Sequence, residues 1–198
     1  MGYEARNFDH LLGTDGFSDL LLNNHFTLYK GYVTNTNKLA ETLDALLKDG
    51  KSAAPEYAEL SRRFGWEFNG MRLHEYYFGN MTKGGKAFSA GSALGAKIGL
   101  EFGSYENWEK DFKATGTMRG IGWTILYYEP IAGRLFNVWV NEHDVGHLSG
   151  AAPLLIMDVF EHAFLTDYGL KRADYIASFF KAIDWGAVSD RYAAATGK

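Results

Sequence analysis

The side chains best suited to chemistry in this sequence are histidines and carboxylates, because the chain has six histidines and no cysteine. The absence of cysteine excludes disulfides, thiolate nucleophiles and zinc–thiolate sites. Asp158 and His162 stand four apart in MDVFEHAF, at the end of an apolar run. This spacing lets both reach one point, and a carboxylate with imidazoles suits iron, manganese or zinc. A local alternative is that Asp158 caps a helix beginning at Val159, with His162 in its first turn.

Two more histidines, His25 and His74, lie beside apolar stripes of helical period. A lone histidine is more often a surface or satisfied core residue, so neither is a ligand by its type alone. In an antiparallel helical hairpin, however, residues equidistant from the turn face each other, and the midpoint between 25 and 74 falls at Gly50. Two imidazoles can therefore meet across such a hairpin, as in the metal sites of helical bundles. His143 and His147 form a further pair, for which a separate zinc site is a second interpretation.

The elements that must position these residues begin with two long helices. Apolar residues at intervals of three or four predict a helix from Phe17 to about Lys48, with a candidate interruption near Gly31. A second helix is predicted from Pro55, a favoured first helical position, to about Gly79. The short link 50–54 predicts that the two helices pack as an antiparallel hairpin.

The second half of the chain has a mixed pattern. Shorter helices are predicted over 87–102 and 105–115, and another over 170–183. Strand-like segments cover 121–129, 134–140 and 153–159, and the first two form a β-hairpin. We therefore predict an α+β fold: an N-terminal α-hairpin domain over residues 1–86, then an α/β domain over 87–198 with a three-stranded antiparallel sheet.

Composition and charge limit the kinds of function that the protein can have. The net charge of -4 is too mild to indicate binding to nucleic acid or to a membrane surface. No segment approaches the ~20 apolar residues of a membrane span, and the N-terminus lacks the pattern of a signal peptide. These features favour a cytoplasmic protein.

Several motifs, in order along the chain, resemble the iron/manganese superoxide dismutase family, and its archaeal-type branch most. They are KGYVTNTNKL (30–39), HEYYFGNM (74–81), GIGWTILYYE (120–129), DVFEHAF (158–164) and RADYI with DWGAV (172–188). The resemblance implies an α-hairpin followed by an α/β domain. It also implies a superoxide dismutase that converts superoxide to O₂ and H₂O₂ by a ping-pong redox cycle of one mononuclear iron or manganese ion per subunit. Iron is favoured, from the archaeal-type resemblance alone.

The resemblance also assigns roles to individual residues. The metal ligands would be His25, His74, Asp158 and His162, with a solvent molecule at a fifth position. Tyr32 would be the gateway tyrosine, and His143, in preference to Glu142, would hydrogen-bond the metal-bound solvent, because Gly70 leaves no side chain for that task. The pocket and the dimer contact would use Trp123, Phe160 and Glu161, and the chain would form a homodimer or homotetramer.

Three departures from the family pattern accompany this resemblance. The spacing from His25 to Tyr32 is one residue short, which the loss of a π-bulge would absorb. Leu28 or Tyr29 stands where a second histidine is usual, and Leu165 replaces its usual tyrosine partner. We expect this pair to have become apolar together and to remodel the channel. The alternatives are a non-catalytic metal-binding relative and a metal-free helical interaction protein.

Overall fold

The N-terminal half of the computed structural model, which describes residues 2–197, is a hairpin of two long helices. α1 spans Asp19–Lys48, and the Ser18 side chain caps it by accepting a hydrogen bond from the Leu21 amide. α2 spans Pro55–Phe78 and packs against α1. Gly50, in the link between them, has a φ of 72°, a left-handed conformation that favours glycine. The predicted antiparallel hairpin is confirmed.

α1 runs without interruption through Gly31, so the expected break there is wrong. A glycine in a helix interior costs about 1 kcal/mol relative to alanine, too little to end a helix by itself. The next two residues, Tyr32 and Val33, are buried, and their packing holds the helix together at this point.

The second half begins with two shorter helices, α3 (Ala93–Phe102) and α4 (Tyr105–Gly116). The first starts six residues later than predicted. Ser92 is the reason, because its hydroxyl accepts a hydrogen bond from the Gly95 amide and so caps the helix at that point.

A three-stranded antiparallel sheet follows, with β1 (Gly122–Glu129) between β2 (Arg134–Asn141) and β3 (Ala152–Asp158). β1 is buried along most of its length, which explains why its sequence is mostly apolar and aromatic. In the ladder Trp123 of β1 stands opposite Asp158, the last residue of β3. The sheet therefore brings a predicted pocket aromatic beside a predicted ligand.

Three helices complete the chain: α5 (Leu165–Tyr168), α6 (Arg172–Ala182) and α7 (Trp185–Thr196). α6 is the helix predicted over 170–183. α7 is separate from it, because Asp184 begins a new helix by accepting a hydrogen bond from the Ala187 amide. The α+β fold class is confirmed, whereas the division at residue 86 stays a prediction.

The α-hairpin and the sheet share one hydrophobic core, with buried side chains drawn from α1, α2, all three strands and the last two helices. Asn80, just after α2, is fully buried and ties the hairpin to β3, since its side chain accepts from the Ile156 amide and donates to the Ile156 carbonyl. Among the described residues, no helix is both long enough and apolar enough to cross a bilayer.

Candidate metal centre

Four side chains of the kinds that bind metals converge where the hairpin meets the sheet. One ligand atom each from His25, His74, Asp158 and His162 lies within 4.8 Å of the other three. These are the four residues that the sequence nominated, and the structure brings all of them together. Two come from the hairpin, one from the last residue of β3 and one from the turn that follows it, so the site requires both halves of the chain.

The two hairpin histidines meet as the register of the helices predicts. His25 lies on α1 and His74 on α2, and their ring centroids are 5.0 Å apart. Both are almost completely buried. His162 lies on the short turn Glu161–Ala163, with its ring 4.8 Å from that of His25 and its side chain 28% exposed. It is therefore the most accessible of the three imidazoles.

Asp158 is the acceptor on which the imidazoles converge. Its Oδ2 lies 3.1 Å from Nε2 of His25 and of His162, and 3.7 Å from Nε2 of His74. Its Oδ1 accepts a hydrogen bond of 2.8 Å from the Phe160 amide. Asp158 therefore ends β3 and begins a tight turn, and the alternative that it caps a helix starting at Val159 is wrong.

The titration of the buried groups favours an ionised Asp158 and neutral rings at His25 and His74. Burial by itself would raise the pKa of Asp158, but attraction to the protonated forms of His162 and His25, and the hydrogen bonds from both rings, hold that pKa well below its usual range. Burial lowers the pKa of both His25 and His74. An ionised carboxylate and unprotonated imidazoles are the forms in which these side chains bind a metal.

The surroundings of the two ring nitrogens of His74 indicate that a metal ion fits this site. Its Nδ1 lies 2.5 Å from the Gly70 carbonyl oxygen, an acceptor, so Nδ1 carries the proton. Its Nε2 is buried, has no hydrogen-bond partner among the described residues and faces Asp158. A buried polar atom left without a partner is costly unless a ligand satisfies it. Three imidazole nitrogens and one carboxylate oxygen are a donor set suited to iron or manganese.

Beside the four donors, Tyr32 and His143 form a hydrogen-bonded pair. The indole Nε1 of Trp123 donates to His143 Nδ1 at 3.0 Å, and because an indole is only a donor, the imidazole proton is on Nε2. His143 Nε2 therefore donates to the Tyr32 hydroxyl at 2.8 Å. Burial lowers the pKa of His143 to about 4, so the imidazole is neutral at physiological pH. The Tyr32 ring stacks on His74, with centroids 5.3 Å apart.

The possibility of a separate zinc site at His143 and His147 is not supported. Both ring nitrogens of His143 are engaged as described, and His147 Nε2 lies 2.9 Å from the His143 carbonyl oxygen. His147 Nδ1 is paired with the Tyr127 hydroxyl at 2.6 Å. The strand before these residues turns at Glu142, which has a φ of 50°, and this turn directs His143 inward while Glu142 is exposed.

Two residues of the site region were missed or misjudged from the sequence. Trp66 lies with its ring 4.5 Å from that of His143 and 5.6 Å from that of Tyr32. Its position, eight residues before His74 on the same helix, was a usable signal, because positions four and eight apart share one helical face. Tyr29 is buried and donates to Glu75 Oε1 at 3.0 Å. The expectation that the usual histidine–tyrosine pair has become apolar at both positions is therefore wrong, because a hydroxyl is retained at Tyr29.

The remaining predicted residues surround the centre at different depths. Phe160 lies over the site, with its ring 4.7 Å from His143 and 5.2 Å from His162. Trp123 is fully buried, 5.0 Å from the His74 ring. Glu161 is exposed, and Leu165 is 46% exposed at the start of α5. The aromatic groups therefore enclose the donors, while these last two face outward.

Comparison with known proteins gives a consistent result. Residues 90–191 match the family model described as "Iron/manganese superoxide dismutases, C-terminal domain". A manganese superoxide dismutase of Haloferax volcanii is 36% identical to the chain over 168 residues, covering 85% of this chain and 82% of the relative. Iron superoxide dismutases of Aquifex pyrophilus and Cupriavidus metallidurans are each 37% identical, covering 93% and 91% of this chain and 89% and 90% of the relatives.

Proposed function

The chain belongs to the iron/manganese superoxide dismutase family, and on that premise we propose which residues hold the metal and which act beside it. Its activity is that of a superoxide dismutase, an oxidoreductase that uses iron or manganese to convert two superoxide ions and two protons to O₂ and H₂O₂. Neither the non-catalytic relative nor the metal-free helical protein has support from an observation.

The proposed ligands are His25, His74, Asp158 and His162. The observation that carries this proposal is the convergence of four donor atoms within 4.8 Å, with the buried Nε2 of His74 left without any other partner among the described residues. When bound, iron or manganese supplies the one-electron redox change that dismutation needs. His25 and His74 supply neutral, preorganised imidazoles, because burial disfavours their protonation.

Tyr32 and His143 are proposed to handle protons beside the metal. His143 Nε2 carries a proton and donates a hydrogen bond to the Tyr32 oxygen. The tyrosine O–H is therefore free to donate a hydrogen bond, or its proton, into the site. Burial raises the pKa of Tyr32, which keeps that hydroxyl protonated. Trp123 holds the orientation of His143, and Phe160 with Trp66 limits the access of water.

The choice between iron and manganese stays a prediction, and iron remains our proposal. The haloarchaeal relatives are named for manganese and those of Aquifex and Cupriavidus for iron, while the donor set accepts both. The experiment is to remove the metal, reload the protein with each ion separately, and measure metal per chain and the rate of superoxide loss. We expect activity with iron, and activity with manganese alone would refute the iron proposal.

We also propose a homodimer or homotetramer, in which Glu161 reaches the partner. The exposure of Glu161, one residue before a proposed ligand, supports this, since its carboxylate is free to contact another chain. Sedimentation of the protein and of Glu161→Ala would test it, with a shift of the variant towards monomer expected. A monomeric parent protein would refute it. The cytoplasmic location is a prediction that cell fractionation would test.

A further inference from the structure

A cavity of about 440 Å³ lies where the N-terminal segment, the end of α2 and α7 meet. None of the four proposed metal ligands lines it. Its charged lining consists of Arg6, Arg72, Arg191 and Glu75, and we refer to this set as the arginine pocket. Its volume lies within the range of about 300–1,000 Å³ that is typical of small-molecule sites.

The arginine pocket has an excess of positive charge. Three guanidinium groups face one carboxylate, which gives the lining a formal charge of +2. Glu75 is shared: its Oε2 lies 2.6 Å from Arg72 Nη1 and 3.7 Å from Arg6 Nε, and its Oε1 accepts the hydrogen bond from Tyr29. One carboxylate with three neighbours cannot neutralise the pocket.

The excess of positive charge is clearest at Arg191. Its guanidinium donates to the Leu154 carbonyl at 2.8 Å, the Tyr76 carbonyl at 3.0 Å and the Asn80 side-chain oxygen at 3.2 Å, all of them neutral acceptors. Within residues 2–197 no carboxylate lies in ion-pair distance of it. Burial lowers its pKa to about 10, the charge of Arg6 adds to that effect, and the charge of Asp184, which lies beyond ion-pair distance, opposes it, so Arg191 remains a cation at neutral pH. A half-buried cation without an anion is costly unless something supplies one.

The wall of the pocket is kept free of side chains at Gly79. A Cβ at this position would lie 3.2 Å from Arg191 Nη2 and 2.7 Å from the Glu75 carbonyl oxygen. The side chain of any other residue would therefore crowd the guanidinium group of Arg191. The rings of Phe8 and Tyr76 form the apolar part of the lining.

We propose that the arginine pocket binds a phosphate-bearing small molecule. Guanidinium forks match the geometry of phosphate oxygens and bind them through two parallel hydrogen bonds. A phosphate monoester carries a charge of about −1.5 to −2 at neutral pH, which matches the +2 of the lining, whereas a carboxylate would leave one positive charge unpaired. The two rings would contact the organic part of the ligand. This binding is independent of the metal ligands and of dismutation.

The test is a calorimetric titration of the metal-loaded protein with inorganic phosphate and with pyrophosphate, and with acetate at equal ionic strength. We expect saturable binding of one phosphate or pyrophosphate per chain and none of acetate in the same range. Arg6→Ala should weaken binding by at least about tenfold, because it removes charged donors. The Arg6 side chain is 64% exposed, so the variant should fold normally, which its thermal unfolding checks.

Arg134→Ala is the matched control, because it removes an arginine on β2 that is 55% exposed and paired with Glu101. Its affinity should stay within about twofold of that of the parent protein. Three results would overturn the proposal: no saturable binding, equal binding of acetate, or unchanged affinity in Arg6→Ala. The last would show that phosphate binds elsewhere, at the metal or at another surface site, since only the arginine pocket is altered in that variant.

Discussion

Gly70→Ala is the substitution for which the structure predicts a result opposite to the usual one. In the interior of a helix, replacing glycine with alanine normally stabilises a protein by about 0.5–1 kcal/mol. At Gly70, however, the new Cβ would lie 2.6 Å from Cδ1 and 2.7 Å from Cε1 of the Tyr32 ring. The ring would have to move by about 0.8 Å to reach the 3.4 Å of an ordinary contact. It is held between His74 and His143, with ring centroids 5.3 and 4.9 Å away.

Gly65→Ala is the control, because Gly65 lies on the same helix, is exposed, and has nothing within 4 Å of the point where a Cβ would lie. Both substitutions add the same helix-propensity stabilisation. The difference between their unfolding free energies therefore measures the cost of overpacking at position 70, about 1–3 kcal/mol. With a urea m-value of about 2 kcal/mol/M, the unfolding midpoint of Gly70→Ala should lie about 0.5–1.5 M below that of Gly65→Ala. Equal midpoints would refute the claim that the Tyr32 ring occupies the space at position 70.

Three further predictions concern the residues beside the metal site and the contact between the hairpin and the sheet. Tyr32→Phe removes the acceptor of His143 Nε2, so it should lower the dismutation rate by about tenfold while metal content stays unchanged; an unchanged rate would contradict the role given to this hydroxyl. Asn80→Ala leaves a buried β3 amide without a partner and should cost about 1–3 kcal/mol in urea unfolding, whereas a neutral result would show that the tie between hairpin and sheet is unimportant. Since burial lowers the pKa of His25 and His74, the unfolded chain takes up protons that the folded chain does not as pH falls below about 6.5. The free energy of unfolding should therefore fall on acidification below that pH, and bound metal should be lost with it. Urea unfolding and metal content measured at pH 7.5, 6.5 and 5.5 would check this.

The hairpin half of the site could be predicted from the sequence because helical geometry is regular. His25 and His74 are equidistant from Gly50, and a short link with a glycine in it leaves an antiparallel arrangement as the simplest one. Asp158 and His162 were found from their mutual spacing and from the resemblance to a known family, but the turn that joins them was not. Whether a helix or a turn follows a strand depends on which amide the aspartate side chain binds, here that of Phe160, and sequence spacing permits both.

The surroundings of the site were harder to predict, because they depend on which of several neighbouring side chains points inward. Leu28 and Tyr29 were both candidates for one position, and the structure places Tyr29 inside while Leu28 is 36% exposed. The hydroxyl of Tyr29 is retained because Glu75 lies opposite it on α2, a contact between residues 46 positions apart. Likewise, the N-terminal segment had no interpretation from the sequence, since the structure alone shows that Arg6 lines a cavity with residues of α2 and α7.

We claim that four convergent side chains bind the redox metal of a superoxide dismutase, and His74→Ala removes the imidazole of one of them. The measurement is metal per chain together with the rate of superoxide loss, in the parent protein, in His74→Ala and in His10→Ala, whose histidine is exposed. We predict about one iron or manganese ion per chain and rapid dismutation for the parent and for His10→Ala, and loss of both for His74→Ala. Full metal content in His74→Ala, or a metal-loaded parent protein that does not dismutate superoxide, would contradict the claim.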